Sequence, residues 1–269
     1  MSRFVIDPNL EQAVVFQDVW LTMPRSRRRG GHSTRHRLRR LAGESSREQA
    51  SVFEGLSTSI APGESVAVLG GPRAGREEFL RLAAGTLVPD SGKVHRRSSV
   101  LPILDDSRCL SPSYTTRQNI YLTGALLGMT PAQTTKELPW IVEMAGAGKW
   151  LDSFLRGAPR NMRQRLVWTV SMATRSRIFA IENSLVIGEG AFQDRCWSHV
   201  EGLRADGVTF IVMSDESDML TRFCDRALVL KGGGIIADTT VAEGLLLSQP
   251  SKRKISRERE PDEDERDDE

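Results

Sequence analysis

Residues 66–80 read VAVLGGPRAGREEFL, and this stretch decides the fold. An apolar run typical of a buried strand comes first, a glycine-containing turn follows, and the first turns of a helix complete it. Gly70 and Gly75 have the spacing of the phosphate-binding loop G-x-x-x-x-G-K-[ST], which joins a strand to a helix. The stretch therefore predicts a strand, a loop and a helix arranged as in nucleotide-binding α/β proteins.

The loop departs from that pattern at the positions that hold phosphate and metal. Arg76 stands where the pattern has Lys, and Glu77 stands where it has the Mg²⁺-binding hydroxyl. Glu78 adds a second carboxylate, whereas a working loop presents a positive helix end to an anion. We therefore expect ATP and Mg²⁺ to bind weakly or not at all. The candidate cofactor-binding residues are Gly70, Gly71, Pro72, Arg73, Ala74, Gly75, Arg76, Glu77 and Glu78.

The composition limits the classes of function. A chain of 269 residues with 39% hydrophobic residues fits one domain of α/β size with tails. The net charge of +2 does not favour a polyanion such as nucleic acid as the partner. The three Cys have no metal-binding spacing, and we find neither a signal peptide nor an apolar run of membrane-spanning length. We therefore expect a cytoplasmic protein without a metal-binding Cys motif.

Charge is distributed unevenly along the chain. Residues 24–48 form a basic insertion with nine Arg and two Glu. Two interpretations stay open for it: a solvated loop, or a segment that contacts anionic lipid headgroups. Nucleic-acid binding is disfavoured because no aromatic residue is interleaved with the arginines. Residues 249–269 hold six basic and nine acidic residues, which predicts a disordered charged tail, and residues 1–13 are interpreted as an N-terminal tail.

Residues 14–248 read as one α/β domain. Short apolar runs at 177–181 and 208–213 suit buried parallel strands. Residues of about 115–175 read as mostly helical, with an interruption expected at Pro139.

Taken in order, several segments resemble the nucleotide-binding subunit of an ABC transporter, and in particular the subfamily that exports capsule, O-antigen and teichoic-acid polysaccharides. The likeness covers roughly residues 14–245. The most subfamily-specific segment of this likeness is SLVIGEGAFQ at 184–193. The other segments that carry it are SIAPGE at 59–64, LVPDSGKV at 87–94, TRQNIY at 116–121, MRQRL at 162–166 and FCDRA at 223–227.

The resemblance implies a fold class and partners. The fold is expected to be α/β, a P-loop NTPase (ABC ATPase) core with an antiparallel β subdomain and a helical subdomain. Family members pair with a second ATPase subunit, as a homodimer or a heterodimer, and dock on a membrane permease subunit. The resemblance therefore implies a peripheral protein on the cytosolic face of the cell membrane.

Three further catalytic positions of the family carry other residues in this chain. Glu182 stands where the Mg²⁺-positioning Asp is expected, and Asn183 replaces the general-base Glu. An amide cannot accept a proton from water at neutral pH. Asp215 replaces the His that would hold the γ-phosphate, and a plain structural alternative makes it a helix cap near 214–215.

The signature motif is altered as well. In the family, a Ser-Gly pair touches the nucleotide bound by the opposite subunit, and here Arg160-Asn161 replaces it, followed by Met162 and Arg163. The combined changes favour a pseudo-ATPase in a polysaccharide or glycoconjugate exporter. Two alternatives stay open: an active ATPase that uses Arg76 and Glu182 as substitutes, and a soluble scaffold or regulator that reuses the fold.

Overall fold

The computed structural model describes residues 4–24, 49–103, 110–183 and 185–248. The predicted C-terminal tail, nearly all of the basic insertion and Cys109 lie outside these residues. The strands in chain order are β1 (Phe4–Ile6), β2 (Val14–Pro24), β3 (Gln49–Ile60), β4 (Ser65–Gly70), β5 (Ser91–Arg96), β6 (Val100–Ile103), β7 (Ile178–Glu182), β8 (Thr209–Met213), β9 (Arg226–Lys231) and β10 (Gly234–Thr239).

The helices are named in the same way. In chain order they are α1 (Arg76–Ala84), α2 (Thr116–Leu126), α3 (Pro131–Ala145), α4 (Arg160–Met172), α5 (Ala191–Ala205), α6 (Ser217–Phe223) and α7 (Val241–Ser248), with 3₁₀ turns at Gly148–Trp150 and Leu155–Gly157. No helix among the described residues is both long and apolar enough to cross a bilayer.

A six-stranded sheet forms the centre of the molecule, in the spatial order β10-β9-β4-β8-β7-β6. The strands from β9 to β6 are parallel, and β10 pairs antiparallel with β9 at one edge. Every residue of β8 is buried, as expected for a parallel strand covered on both faces. The buried parallel strands expected at 177–181 and 208–213 are therefore confirmed as β7 and β8.

A smaller sheet, in the order β1-β5-β2-β3, packs against α1. Phe16 of β2 stacks on Phe79 of α1 with ring centroids 4.4 Å apart, so the two parts share one core. The N-terminal tail assigned to residues 1–13 needs a correction, because Phe4–Ile6 pairs in parallel with β5. The reason is local, since two of the three residues in this segment are β-branched and the edge of β5 is available to them.

The helical subdomain consists of α2, α3 and α4. Thr115 and Thr130 are the N-cap residues that precede α2 and α3. Each forms a capping box with the Gln three residues later. The expected interruption at Pro139 is wrong, because α3 runs through it. Packing outweighs the lost hydrogen bond there, since Ile141 and Ala145 of the same helix are fully buried in the subdomain core.

Candidate functional site

The predicted strand, loop and helix around residues 66–80 are present as β4, the loop 71–75 and α1. Gly75 precedes α1 in a left-handed conformation, with φ of 89°. A Cβ atom at this position would lie 2.9 Å from the ring of Phe53 and from Val52, so only glycine fits without a shift of β3. The sequence thus retains the residue that turns the chain sharply into the helix.

Arg73 is strained in this loop. Its φ is 67°, a left-handed conformation in which a side chain costs about 1–2 kcal/mol relative to glycine. The loop therefore adopts at Arg73 a backbone conformation that glycine would adopt without this strain.

Arg76 and Asp215 form an ion pair, with Nη1 and Oδ1 3.0 Å apart. Arg76 begins α1, and Asp215 follows β8. The two residues meet because β4 and β8 are neighbouring parallel strands. The carboxyl ends of the two strands therefore lie side by side. The residue that replaces the Lys of the loop pattern thus binds the residue that replaces the His expected from the resemblance.

The alternative that made Asp215 a helix cap is wrong. Helix α6 begins at Ser217, and Glu216 precedes it without a side-chain capping bond. The hydroxyl of Ser214 accepts a hydrogen bond from the Glu216 N–H at 3.1 Å, so Ser214 shapes the turn before α6. The Asp215 carboxylate is turned instead towards Arg76.

The first turn of α1 carries its own negative charges. Glu77 pairs with Arg81 one turn later, at 2.5 Å. Glu78 has no ion-pair partner among the described residues. Carboxylates at the amino end of a helix interact favourably with the positive end of the helix dipole. In a phosphate-binding loop, the phosphate of the ligand would make this interaction. Sequence reasoning had not singled out Arg81, although its spacing of four residues from Glu77 was a readable signal.

Glu182 and Asn183 lie at the carboxyl end of β7, beside the carboxyl end of β8. Glu182 pairs in register with Met213 of β8, and the Asn183 N–H donates to the Met213 carbonyl at 2.8 Å. Glu182 is half-buried, while Asn183 is exposed and left-handed, with φ of 50°. The three segments 70–78, 182–183 and 214–215 therefore converge as the resemblance requires.

The signature-like residues lie elsewhere, at the start of α4 in the helical subdomain. Asn161 is exposed, Met162 is buried in the subdomain core, and Arg163 donates to the Leu155 carbonyl at 3.4 Å. Arg160 is the first residue of the helix. The contact of this segment with a nucleotide on a second subunit stays a prediction, because it involves another chain.

The comparisons with solved structures define the fold. The chain superposes on an ATP-binding subunit of an ABC transporter with a TM-score of 0.65, at 16% identity, over 86% of this chain and 91% of the other. It superposes on an ADP- and phosphate-bound ATP-binding cassette with a TM-score of 0.63, also at 16% identity, over 85% and 98% of the two chains. The fold is that of an ABC ATP-binding domain, and the expected fold class is confirmed.

Sequence relatives narrow this class. The chain is 30% identical to the O-antigen export system ATP-binding protein of Klebsiella pneumoniae over 65% of its own length and 72% of the relative. It is 29% identical to an ABC transporter protein of Aeromonas salmonicida, over 69% and 61% of the two chains. No family model matches the chain. The chain belongs to the family of ABC transporter ATP-binding proteins of polysaccharide export systems.

The chain does not span the full length of these relatives. It covers 61% of the Aeromonas protein, 72% of the Klebsiella protein and 53% of a related O-antigen export protein from Myxococcus xanthus.

Proposed function

We propose that this chain is a pseudo-ATPase subunit of a polysaccharide or glycoconjugate exporter. The observation that carries the proposal is the Arg76–Asp215 ion pair. A bound nucleotide needs a cation free to approach its phosphates, and here a carboxylate of the same chain already neutralises that cation. The scaffold that transmits motion would survive, while the chemistry that drives it would reside in a partner or be lost.

The charges around the loop argue against tight binding of a polyphosphate. Glu77, Glu78 and Asp215 bring three carboxylates to a site that should hold phosphate, against the two positive charges of Arg73 and Arg76, and Arg76 is already paired with Asp215. Each carboxylate about 4 Å from a phosphate would repel it by roughly 1–4 kcal/mol, depending on the local dielectric. Phosphoryl transfer depends on positioning and on cations, so this balance opposes both binding and hydrolysis.

The residues available for Mg²⁺ do not fit the ion. The hydroxyl of the motif is replaced by Glu77, whose carboxylate is held by Arg81. Glu182 keeps a carboxylate at the end of β7, but no three acidic, His or Cys side chains in the described part of the chain converge as a metal site. Asn183 cannot act as the general base. We therefore infer no step that passes through a bound metal.

The partners follow from the family. We infer that the chain docks on a membrane permease and pairs with a second ABC ATPase subunit on the cytosolic face of the membrane. If a heterodimer forms head-to-tail, both composite sites are damaged, one by the loop and the other by Arg160-Asn161. Such a dimer should hydrolyse ATP slowly. The basic insertion 24–48 is proposed to contact anionic lipids, and nucleic acid is not a proposed partner.

The test is calorimetric titration with Mg-ATP of the wild type and of R76K/E77S/D215H, which restores the three family residues. Asp218→Asn, which removes a charge from the same region outside the pair, is the matched control. We expect no saturable heat from the wild type or the control, and clear binding by the restored variant. Low-micromolar binding by the wild type would overturn the proposal.

One observation favours the active ATPase as a second candidate, because Glu182 keeps a carboxylate at the end of β7. In that case the purified protein would hydrolyse ATP, and Glu182→Gln would abolish the activity. Steady phosphate release that is insensitive to E182Q would point instead to a contaminating ATPase.

A further inference from the structure

A cleft of about 420 Å³ opens between the helical subdomain and the central sheet, apart from the loop. This volume lies within the range of small-molecule sites, about 300–1,000 Å³. Its polar and aromatic lining comes from α3, from the turn after α4 and from α5 and its end. The residues that matter are Glu137, Trp140, Arg175, Arg177, His199 and Asp206.

The cleft lies at the amino ends of the parallel strands, and the loop lies at their carboxyl ends. Arg177 and Val208 in the cleft precede β7 and β8, whereas Glu182 and Ser214 lie at or just beyond the far ends of these strands. The two ends of β7 are separated by the length of the strand, which has five residues and rises roughly 3.3 Å per residue. The cleft is therefore a separate site, and no residue of the proposed nucleotide site lines it.

The charges in the cleft balance. Glu137 and Arg175 form an ion pair at 2.6 Å, and the Glu137 side chain is only 17% exposed. Arg177 and Asp206 also line the cleft, and neither forms an ion pair with another described residue. One cation and one anion are thus left to interact with a ligand, without a net charge that would favour an ion.

An aromatic group adds an apolar surface. Trp140 lies against His199 with ring centroids 4.9 Å apart, and both residues line the cleft. The Nε2 atom of His199 is buried without a hydrogen-bond partner among the described residues. Burial lowers the pKa of His199, so the ring is neutral near pH 7 and leaves the charge balance unchanged.

Arg175 is held in a strained conformation at this cleft. Its φ is 55°, a left-handed conformation that is unfavourable for any residue with a side chain. This conformation accompanies the contact between its guanidinium and Glu137. Strain of this kind persists where the surrounding structure enforces it, and it is concentrated at functional sites.

We propose that the cleft binds a neutral saccharide unit. An anion would meet Glu137 and Asp206, a cation would meet Arg175 and Arg177, and a purely apolar ligand would desolvate all four. A sugar ring offers an apolar face to Trp140 and hydroxyls that both donate and accept hydrogen bonds. The proposal does not rest on the state of the nucleotide site.

The experiment is saturation-transfer-difference NMR on the full chain, with D-mannose, D-galactose and N-acetyl-D-glucosamine as probes and the zwitterion glycine betaine beside them. We expect transfer to the ring protons of at least one sugar and none to glycine betaine. Arg177→Ala with Asp206→Ala should weaken the binding by at least about tenfold, since both side chains are exposed and their loss spares the core.

A matched variant, Lys136→Ala with Asp194→Ala, removes one charge of each sign outside the cleft and should bind as the wild type does. R76K/E77S/D215H should keep the saccharide signal whatever it does with ATP, which separates this test from that of the proposed function. Folded wild type without transfer to any of the three sugars would overturn the proposal. So would transfer to glycine betaine alone, or a signal unchanged in R177A/D206A.

Discussion

At the scale of single residues, the loop shows that a motif can keep its backbone while its chemistry changes. Gly75 still turns the chain into α1, because the neighbouring Phe53 leaves no room for a Cβ. Arg76 and Asp215 were each readable as departures from the family pattern. Their pairing was not readable, because 139 residues separate them and only the order of β4 and β8 brings them together.

Arg73 provides a stability test at this scale. Replacing it with glycine should stabilise the protein by up to about 1 kcal/mol, because the strain relieved exceeds the entropy that glycine costs. Chemical unfolding in urea measures the change. Pro72→Gly, at the preceding residue, is the control and should not stabilise. A less stable R73G would mean that the Arg73 side chain makes contacts worth more than its strain.

At the scale of elements, α1 is held at both ends by residues distant in sequence. Its first residue is paired with Asp215, and its last turn is capped by Arg96 of β5. Arg96 is buried and donates its Nε–H to the Ala83 carbonyl at 2.5 Å and an Nη2–H to the Leu82 carbonyl. Burial lowers the pKa of Arg96 to about 10. The smaller sheet thereby fixes the helix of the loop.

Replacing Arg96 with Met should cost about 1–3 kcal/mol, because the Ala83 carbonyl at the end of α1 loses its Arg96 donor, whereas the Leu82 carbonyl keeps the N–H of Gly85. Urea unfolding monitored by circular dichroism measures the loss. Arg97→Met, at the next and exposed position, is the matched control and should stay within about 0.5 kcal/mol of the wild type. An equal effect of the two variants would remove the capping role.

The bulge of β2 gives a second test at this scale. Asp18 is left-handed there, and its carbonyl oxygen would lie 2.0 Å from a Cβ at Gly92 of β5. Gly92→Ala should therefore cost about 3 kcal/mol or more, through a backbone clash added to strain. Gly128→Ala is the control, since Gly128 is also left-handed but has open space around it, and its cost should stay near 1 kcal/mol. Equal losses would show that strain alone decides.

At the scale of the whole molecule, the helical subdomain meets α5 through aromatic packing around His199. Its ring lies 4.9 Å from that of Trp140 and 6.0 Å from that of Trp168, measured between centroids. Burial lowers the pKa of His199 below its ordinary value, because a charged ring would lose hydration in this position. The contact between the helical subdomain and α5 therefore contains a side chain, His199, whose protonation opposes folding.

The sign of the pH dependence follows from linkage. The unfolded chain binds a proton at His199 near pH 6.5, whereas the folded chain does so only at lower pH. The free energy of unfolding should therefore fall as the pH drops below about 6.5, and less so in His199→Phe. Urea unfolding at a series of pH values tests this. An unchanged slope in H199F would assign the loss to other groups.

Much of this protein was determined by its sequence alone. The glycine spacing, the continuous apolar runs of β7 and β8 and the capping residues of α2 and α3 act over a few residues, so they could be read directly. The strand at Phe4–Ile6 and the passage of α3 through Pro139 could not, because each depends on a neighbour supplied by the fold. The tertiary structure alone decided that Asp215 neutralises Arg76, and that Trp140, Arg177 and Asp206 share one cleft. Such contacts depend on strand order and helix packing, which join residues far apart in the chain.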